Sequence, residues 1–212
     1  MHLREDIDDF LLTIPNGVTV VAATKYVGTS EMLELYQHGI IDFGENRVEA
    51  FLEKYDNLEG INPRWHFIGH LQRNKAKKVL NKIDYLHSLD SIDLAKVIEK
   101  ERETPLKCFI EVSINLEETK NGVPYMDIDS FMEEVLLYDK VELVGLMMMA
   151  VKGDSDSDIL NQFERLRDLR DLLEEKYNIK LPYLSMGMSD DYRMAIEASA
   201  THIRLGRVLW KD

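Results

Sequence analysis

The chain has 212 residues, 45% of them hydrophobic, which suits one globular domain over residues 1–212 with a core that needs no disulfide or metal. With 26 basic and 39 acidic side chains the formal net charge is −13, so no overall positive field gathers a nucleic acid or an anionic membrane. A single cysteine, an acidic opening (MHLREDIDDF) and a longest apolar run of nine residues, Leu143 to Val151, argue against an internal disulfide, a secretory signal and a bilayer span; a cytoplasmic protein is expected.

Leu3, Ile7, Phe10, Leu11 and Ile14 open the chain as an amphipathic helix. The first β-rich run is VTVVAAT from Val18, and IIDFG from Ile40 is the second. Val48, Phe51, Leu52 and Tyr55 then follow helical spacing, ahead of RWHFIG from Arg64. Ala76, Val79, Leu80 and Ile83 predict another helix, followed by DYLHSLD from Asp84 and KCFIEVSI from Lys107. Ile128, Phe131, Met132, Val135 and Leu136 precede VELVGLMMM from Val141. The longest helical stripe runs Ile159, Phe163, Leu166, Leu169, Leu173 and Tyr177, before LPYLSMG from Leu181 and HIRLG from His202.

Near-continuous apolar strands imply burial on both faces, and crossover helices imply parallel pairing. Eight such units at about 26 residues each predict an α/β fold, a single (β/α)8 TIM barrel with no spare length for an inserted domain. Because little chain follows the last strand, the N-terminal helix is expected to complete the outer ring. An open doubly wound sheet is the alternative, but the chain has no G-x-G-x-x-G turn.

In a parallel barrel the chemistry gathers where the strands end. The first strand ends in Lys25, where apolar walls would favour a neutral, nucleophilic amine suited to a Schiff base, although position alone favours a strand-end lysine that only snorkels to solvent. Asn46 ends the second strand, and His66 lies on the third, either against a planar ligand or as a core histidine. His66 and His70 do not make a metal pair across a strand and turn, and Asp154, Asp156 and Asp158 lack the glycine and glutamate of a calcium loop. Ser185-Met186-Gly187-Met188-Ser189 follows strand seven, with Ser189 as the expected cap of the next helix, and Gly206-Arg207 follows strand eight. Glycines in these two loops let backbone N–H groups approach a phosphate, although an ordinary strand-to-helix turn looks the same. An amine across the barrel from a phosphate loop points to pyridoxal 5′-phosphate (PLP) as cofactor. Arg204, two residues before Gly206, would donate to the pyridine nitrogen without protonating it, which weakens the ring as an electron sink. An interior ion pair is its alternative role.

The stretches AATKY (22–26), DFGENRVE (42–49), WHFIGHLQRNK (65–75), SLDS (88–91), KNGV (120–123), GLM (145–147), LSMGMSDD (184–191) and IRLG (203–206) resemble the pyridoxal phosphate homeostasis proteins, an alanine racemase N-terminal-domain-like family. The resemblance implies a barrel holding PLP on Lys25 as an internal aldimine, with Asn46, His66 and Arg204 around the ring. It places phosphate near Ser185, Met186, Gly187, Gly206 and Arg207. It further implies a role in PLP homeostasis and amino-acid and keto-acid balance with little turnover, because the length leaves no room for the second domain that gives alanine racemase its opposing base. Arg207 stands where the family usually has a small hydroxyl residue, and Glu49 replaces the usual Gln. A slow PLP-dependent amino-acid racemase and an aldolase-like barrel without cofactor are the competing readings. The expected partners are PLP and, transiently, apo-enzymes that use it. The chain is expected to be a monomer, and Met147 to Met149 are expected to be core residues rather than a binding surface.

Overall fold

The computed structural model describes residues 1–114, 121–151 and 153–211. Lys120 of the KNGV stretch and Asp212 lie outside them. Eight parallel strands form the barrel: β1 (Thr19–Ala23), β2 (Asp42–Glu45), β3 (Arg64–Phe67), β4 (Tyr85–Leu89), β5 (Leu106–Ser113), β6 (Val141–Met147), β7 (Tyr183–Ser185) and β8 (His202–Leu205). They hydrogen-bond in the order β4-β3-β2-β1-β8-β7-β6-β5, and β4 pairs with β5 to close the ring. Closure removes both sheet edges, so the sequence-derived (β/α)8 barrel stands and the open sheet does not.

The helices are α1 (Ile7–Leu12), α2 (Thr29–Gln37), α3 (Val48–Asn57), α4 (Arg73–Ala76), α5 (Ile92–Glu101), α6 (Ile128–Val135), α7 (Asp156–Tyr177) and α8 (Tyr192–Glu197). The helix expected from Ala76 to Ile83 is only one turn long; Val79, Leu80 and Ile83 are still buried, but by turns that follow α4. In α7 the Ser155 hydroxyl accepts from Asp158 N–H, and Asn178 ends the helix in the left-handed conformation at φ 50°. Asp156 and Asp158 therefore sit in a helix first turn, where carboxylates oppose the helix dipole, and Asp154 accepts from Gln162. No described helix is long and apolar enough to cross a membrane.

The N- and C-terminal segments are tied together: His2–Leu3 pairs antiparallel with Trp210–Lys211, and Arg4 donates to Val208 O at 3.0 Å. That clamp brings α1 into the outer ring, where Phe10 meets Tyr192 of α8 edge-on at 6.1 Å. Most of the apolar core lies between strands and helices. Inside the barrel a separate cluster joins Tyr85, Phe109, Val144 and Met147. Rings stack through this interior, His66 on Tyr85 at 4.6 Å and His87 on Phe109 at 4.3 Å. Such an interior is more polar and aromatic than the branched aliphatic layers usual for the fold.

Candidate active site at the barrel mouth

Lys25 follows β1 in a tight turn, and that turn is anchored from below. Thr24, the residue before it, is buried; its N–H donates to Gly44 O at 3.0 Å and its hydroxyl to Glu45 Oε1 at 2.7 Å. Lys54 of α3 donates both to that carboxylate and to Thr24 O, so a buried ion pair fixes the backbone that carries Lys25. The Lys25 side chain itself is exposed, with Nζ 4.8 Å from the Tyr26 ring centroid. The apolar enclosure expected from the sequence is not found; the amine stands at the rim because the strand ends at Ala23 and the turn carries it outward.

Lys25, Arg204, Gly206 and Arg207 line one cavity of about 490 Å³ at the C-terminal ends of the strands. Arg204 crosses its inner wall: Nη1 donates to Ser185 Oγ at 2.6 Å and Nη2 to Met148 O at 2.9 Å. Burial pulls its guanidinium down to about 10, so it remains a cation at neutral pH. Gly206 opens onto the cavity, and a Cβ there would meet nothing nearer than Ala23 Cβ at 3.7 Å. Its N–H and that of Val208 both donate to Ser189 Oγ, at 3.2 and 3.3 Å. The hydroxyl thus occupies the acceptor position in front of two convergent N–H groups, the place an anion oxygen would take.

Ser189 was expected as a helix cap, but α8 begins later and Asp191 precedes it, accepting from Met188 N–H at 2.5 Å. The sequence hides this role because a serine one turn before a helix has the same appearance in both cases. Arg207 is exposed and paired with Asp190 at 2.5 Å, an ion pair open to solvent on both sides.

The other expected ligands lie deeper. His66 is fully buried among Asp42, Tyr85 and His87 and does not line the cavity, because β3 points it into the barrel below the mouth. Met186 packs in the apolar core and spends its N–H on His202 O at 3.1 Å. Gly187, at φ +94°, is required by packing: a Cβ would lie 2.5 Å from Ala195 Cβ. Ser185 is buried between Arg204 and His87. Asn46 directly follows β2, the strand beside β1, and its Oδ1 is buried with no hydrogen-bond partner among the described residues. Met147 and Met148 are core residues as expected, whereas Met149 is half exposed.

Glu111 of β5 faces the same end of the barrel, where burial first and the nearby Asp90 second push its carboxyl up to about 7. The Lys25 amine, the fixed Arg204 guanidinium and the Ser189 hydroxyl over the Gly206 turn, all lining one cavity, fit a planar, anionic, aldehyde-bearing ligand. Lys25 would take the aldehyde, Arg204 the ring nitrogen and the Gly206 loop the phosphate.

Residues 3–212 match the family model of the alanine racemase N-terminal domain. The chain is 39% identical over 200 residues to the pyridoxal phosphate homeostasis protein of Aquifex aeolicus, covering 93% of this chain and 88% of that protein. It is 34% identical to the protein of the same name from Synechocystis, covering 96% and 95%. Among solved structures, PipY of Synechococcus elongatus with PLP bound superposes with a TM-score of 0.88 at 28% identity, covering 97% of this chain and all of that one. Alanine racemase of Enterococcus faecalis shares the fold, with a TM-score of 0.76 at 14% identity, and this chain covers 58% of it.

Proposed function

The chain belongs to the pyridoxal phosphate homeostasis proteins of the alanine racemase N-terminal-domain family, and on that premise we propose that it binds PLP on Lys25 and serves intracellular PLP homeostasis. The observation that carries the reading is the convergence of Lys25, Arg204 and Gly206 on one cavity. When bound, PLP supplies an electron-withdrawing ring to an amine condensed with its aldehyde.

The protein's own groups hold and orient. The Glu45–Lys54 pair fixes the turn that presents Lys25. Arg204, held by Ser185, would donate to the ring nitrogen without yielding a proton to it, which would limit electron withdrawal and favour retention over turnover. The Ser189 hydroxyl, held by the Gly206 and Val208 N–H groups, keeps its own proton free and would donate it to the phosphate. Asn46 Oδ1, just after β2, is a buried acceptor without a partner among the described residues.

We infer a cytoplasmic monomer that meets apo-enzymes transiently. Burial of every apolar strand in the closed barrel supports the monomer, and exposed Tyr26 and Met188 beside the cavity give a small apolar rim for brief contacts. The test is an absorption spectrum of the purified protein titrated with PLP. The reading expects a saturable visible band that Lys25→Ala abolishes; no band, or one unchanged by that substitution, overturns it.

A further inference from the structure

A continuous line of hydrogen bonds runs through the barrel interior. Arg204 Nη1 donates to Ser185 Oγ at 2.6 Å, and Ser185 Oγ lies 2.7 Å from His87 Nδ1. His87 Nε2 lies 2.8 Å from His66 Nδ1, and His66 Nε2 lies 2.8 Å from Asp42 Oδ1. The other Asp42 oxygen accepts from Arg64 at 2.7 Å. Arg204 lines the mouth cavity, whereas Arg64 lines a cavity of about 590 Å³ built from the segments that enter β3, β4 and β5 at the opposite end.

The direction of every bond follows from its ends. Against the burial that would raise it, hydrogen bonds from His66 and Arg64 hold the Asp42 carboxyl below its ordinary value, so it accepts only. His66 must then carry its proton on Nε2. Burial keeps both His66 and His87 neutral, with the Arg204 cation adding repulsion at His87, so each ring has one donor and one acceptor nitrogen. His66 Nδ1 accepts from His87 Nε2–H, and His87 Nδ1 accepts the Ser185 hydroxyl proton. Ser185 is left with lone pairs for Arg204.

We propose that Asp42, His66, His87 and Ser185 form a one-way hydrogen-bond wire that orients Arg204 at the mouth, with Asp42 setting its direction from the far end. Asp42, His66 and His87 are positioning residues for the ring-nitrogen contact, a role that rests on the PLP reading. The wire itself does not.

The experiment is ¹⁵N NMR of labelled histidine in the ligand-free protein. Both His66 and His87 are expected as neutral Nε2–H tautomers. Asp42→Asn offers Oδ1 to Arg64 and an N–H to His66, which reverses the wire, so both rings shift to Nδ1–H. A wild-type ring found protonated or as Nδ1–H, or a His87 tautomer unmoved in Asp42→Asn, overturns the proposal. Should that variant not fold, the wild-type tautomers still decide.

The link to Arg204 is read from PLP affinity. His87→Phe keeps the stack on Phe109 but removes the Ser185 acceptor and should weaken PLP binding up to about tenfold, the value of one net hydrogen bond. His87→Asn places Oδ1 where Nδ1 was and should restore most of that loss. Equal loss in both variants, or none, overturns the positioning role. A wild-type protein with no lysine-bound band defeats the PLP reading while the tautomers stand or fall separately.

Discussion

Arg204 Nη1 and Ser185 Oγ lie 2.6 Å apart, and this contact joins the ligand cavity to the buried polar interior of the barrel. Arg204 needs its planar fork, because Nη2 simultaneously reaches Met148 O at 2.9 Å. Arg204→Lys keeps the charge but leaves one of these buried acceptors unmatched. It should cost about 1–3 kcal/mol in urea unfolding and weaken PLP about tenfold by absorbance titration.

Two glycines in the expected phosphate region have different jobs. Gly187→Ala puts a side chain at φ +94° and 2.5 Å from Ala195 Cβ, so the free energy of urea unfolding should drop by about 1–3 kcal/mol. Gly206→Ala makes only an ordinary contact with Ala23, at 3.7 Å, and should leave stability within about 0.5 kcal/mol of wild type while lowering PLP affinity.

Lys54→Met removes the cation from buried Glu45 and should cost about 3–5 kcal/mol. Glu45→Gln added to it removes the stranded charge, and most of the stability should return. Urea unfolding of the single and double variants checks this; additive losses would show that the ion pair is not the source.

Glu111 gives the pH dependence. Its carboxyl is raised to about 7 from an ordinary 4.5, so the folded state holds its proton more tightly than the unfolded chain. Its cost to stability is absent below about pH 4.5, grows as pH rises through that window, and is complete above about pH 7. Glu111→Gln should therefore gain relative to wild type by up to roughly 3 kcal/mol between pH 4.5 and pH 7.5, measured by urea unfolding across that range.

Much of the barrel was legible in the chain, because eight short apolar runs alternate with helical spacing and parallel strands must be crossed over. The cavity's Lys25, Arg204, Gly206 and Arg207 were legible because they directly end or follow strands. The wire was not. Asp42, His66, His87 and Ser185 come from four strands, and periodicity tells which residues share a strand face but not which strands face each other across a closed barrel. Each does interrupt an apolar run at an inward position, and those repeated interruptions were the available signal. The turns after Ala76 mimic a helix because Val79, Leu80 and Ile83 are buried at helix-like intervals without helical backbone.

The most direct test of PLP held on Lys25 is borohydride reduction of the protein with PLP, followed by intact mass and peptide mapping. One reduced pyridoxyl-phosphate group should appear on the peptide containing Lys25, and Lys25→Ala should carry none while unfolding at the wild-type urea midpoint. No addition to the wild-type protein, or a label on other lysines that persists in Lys25→Ala, would contradict the account.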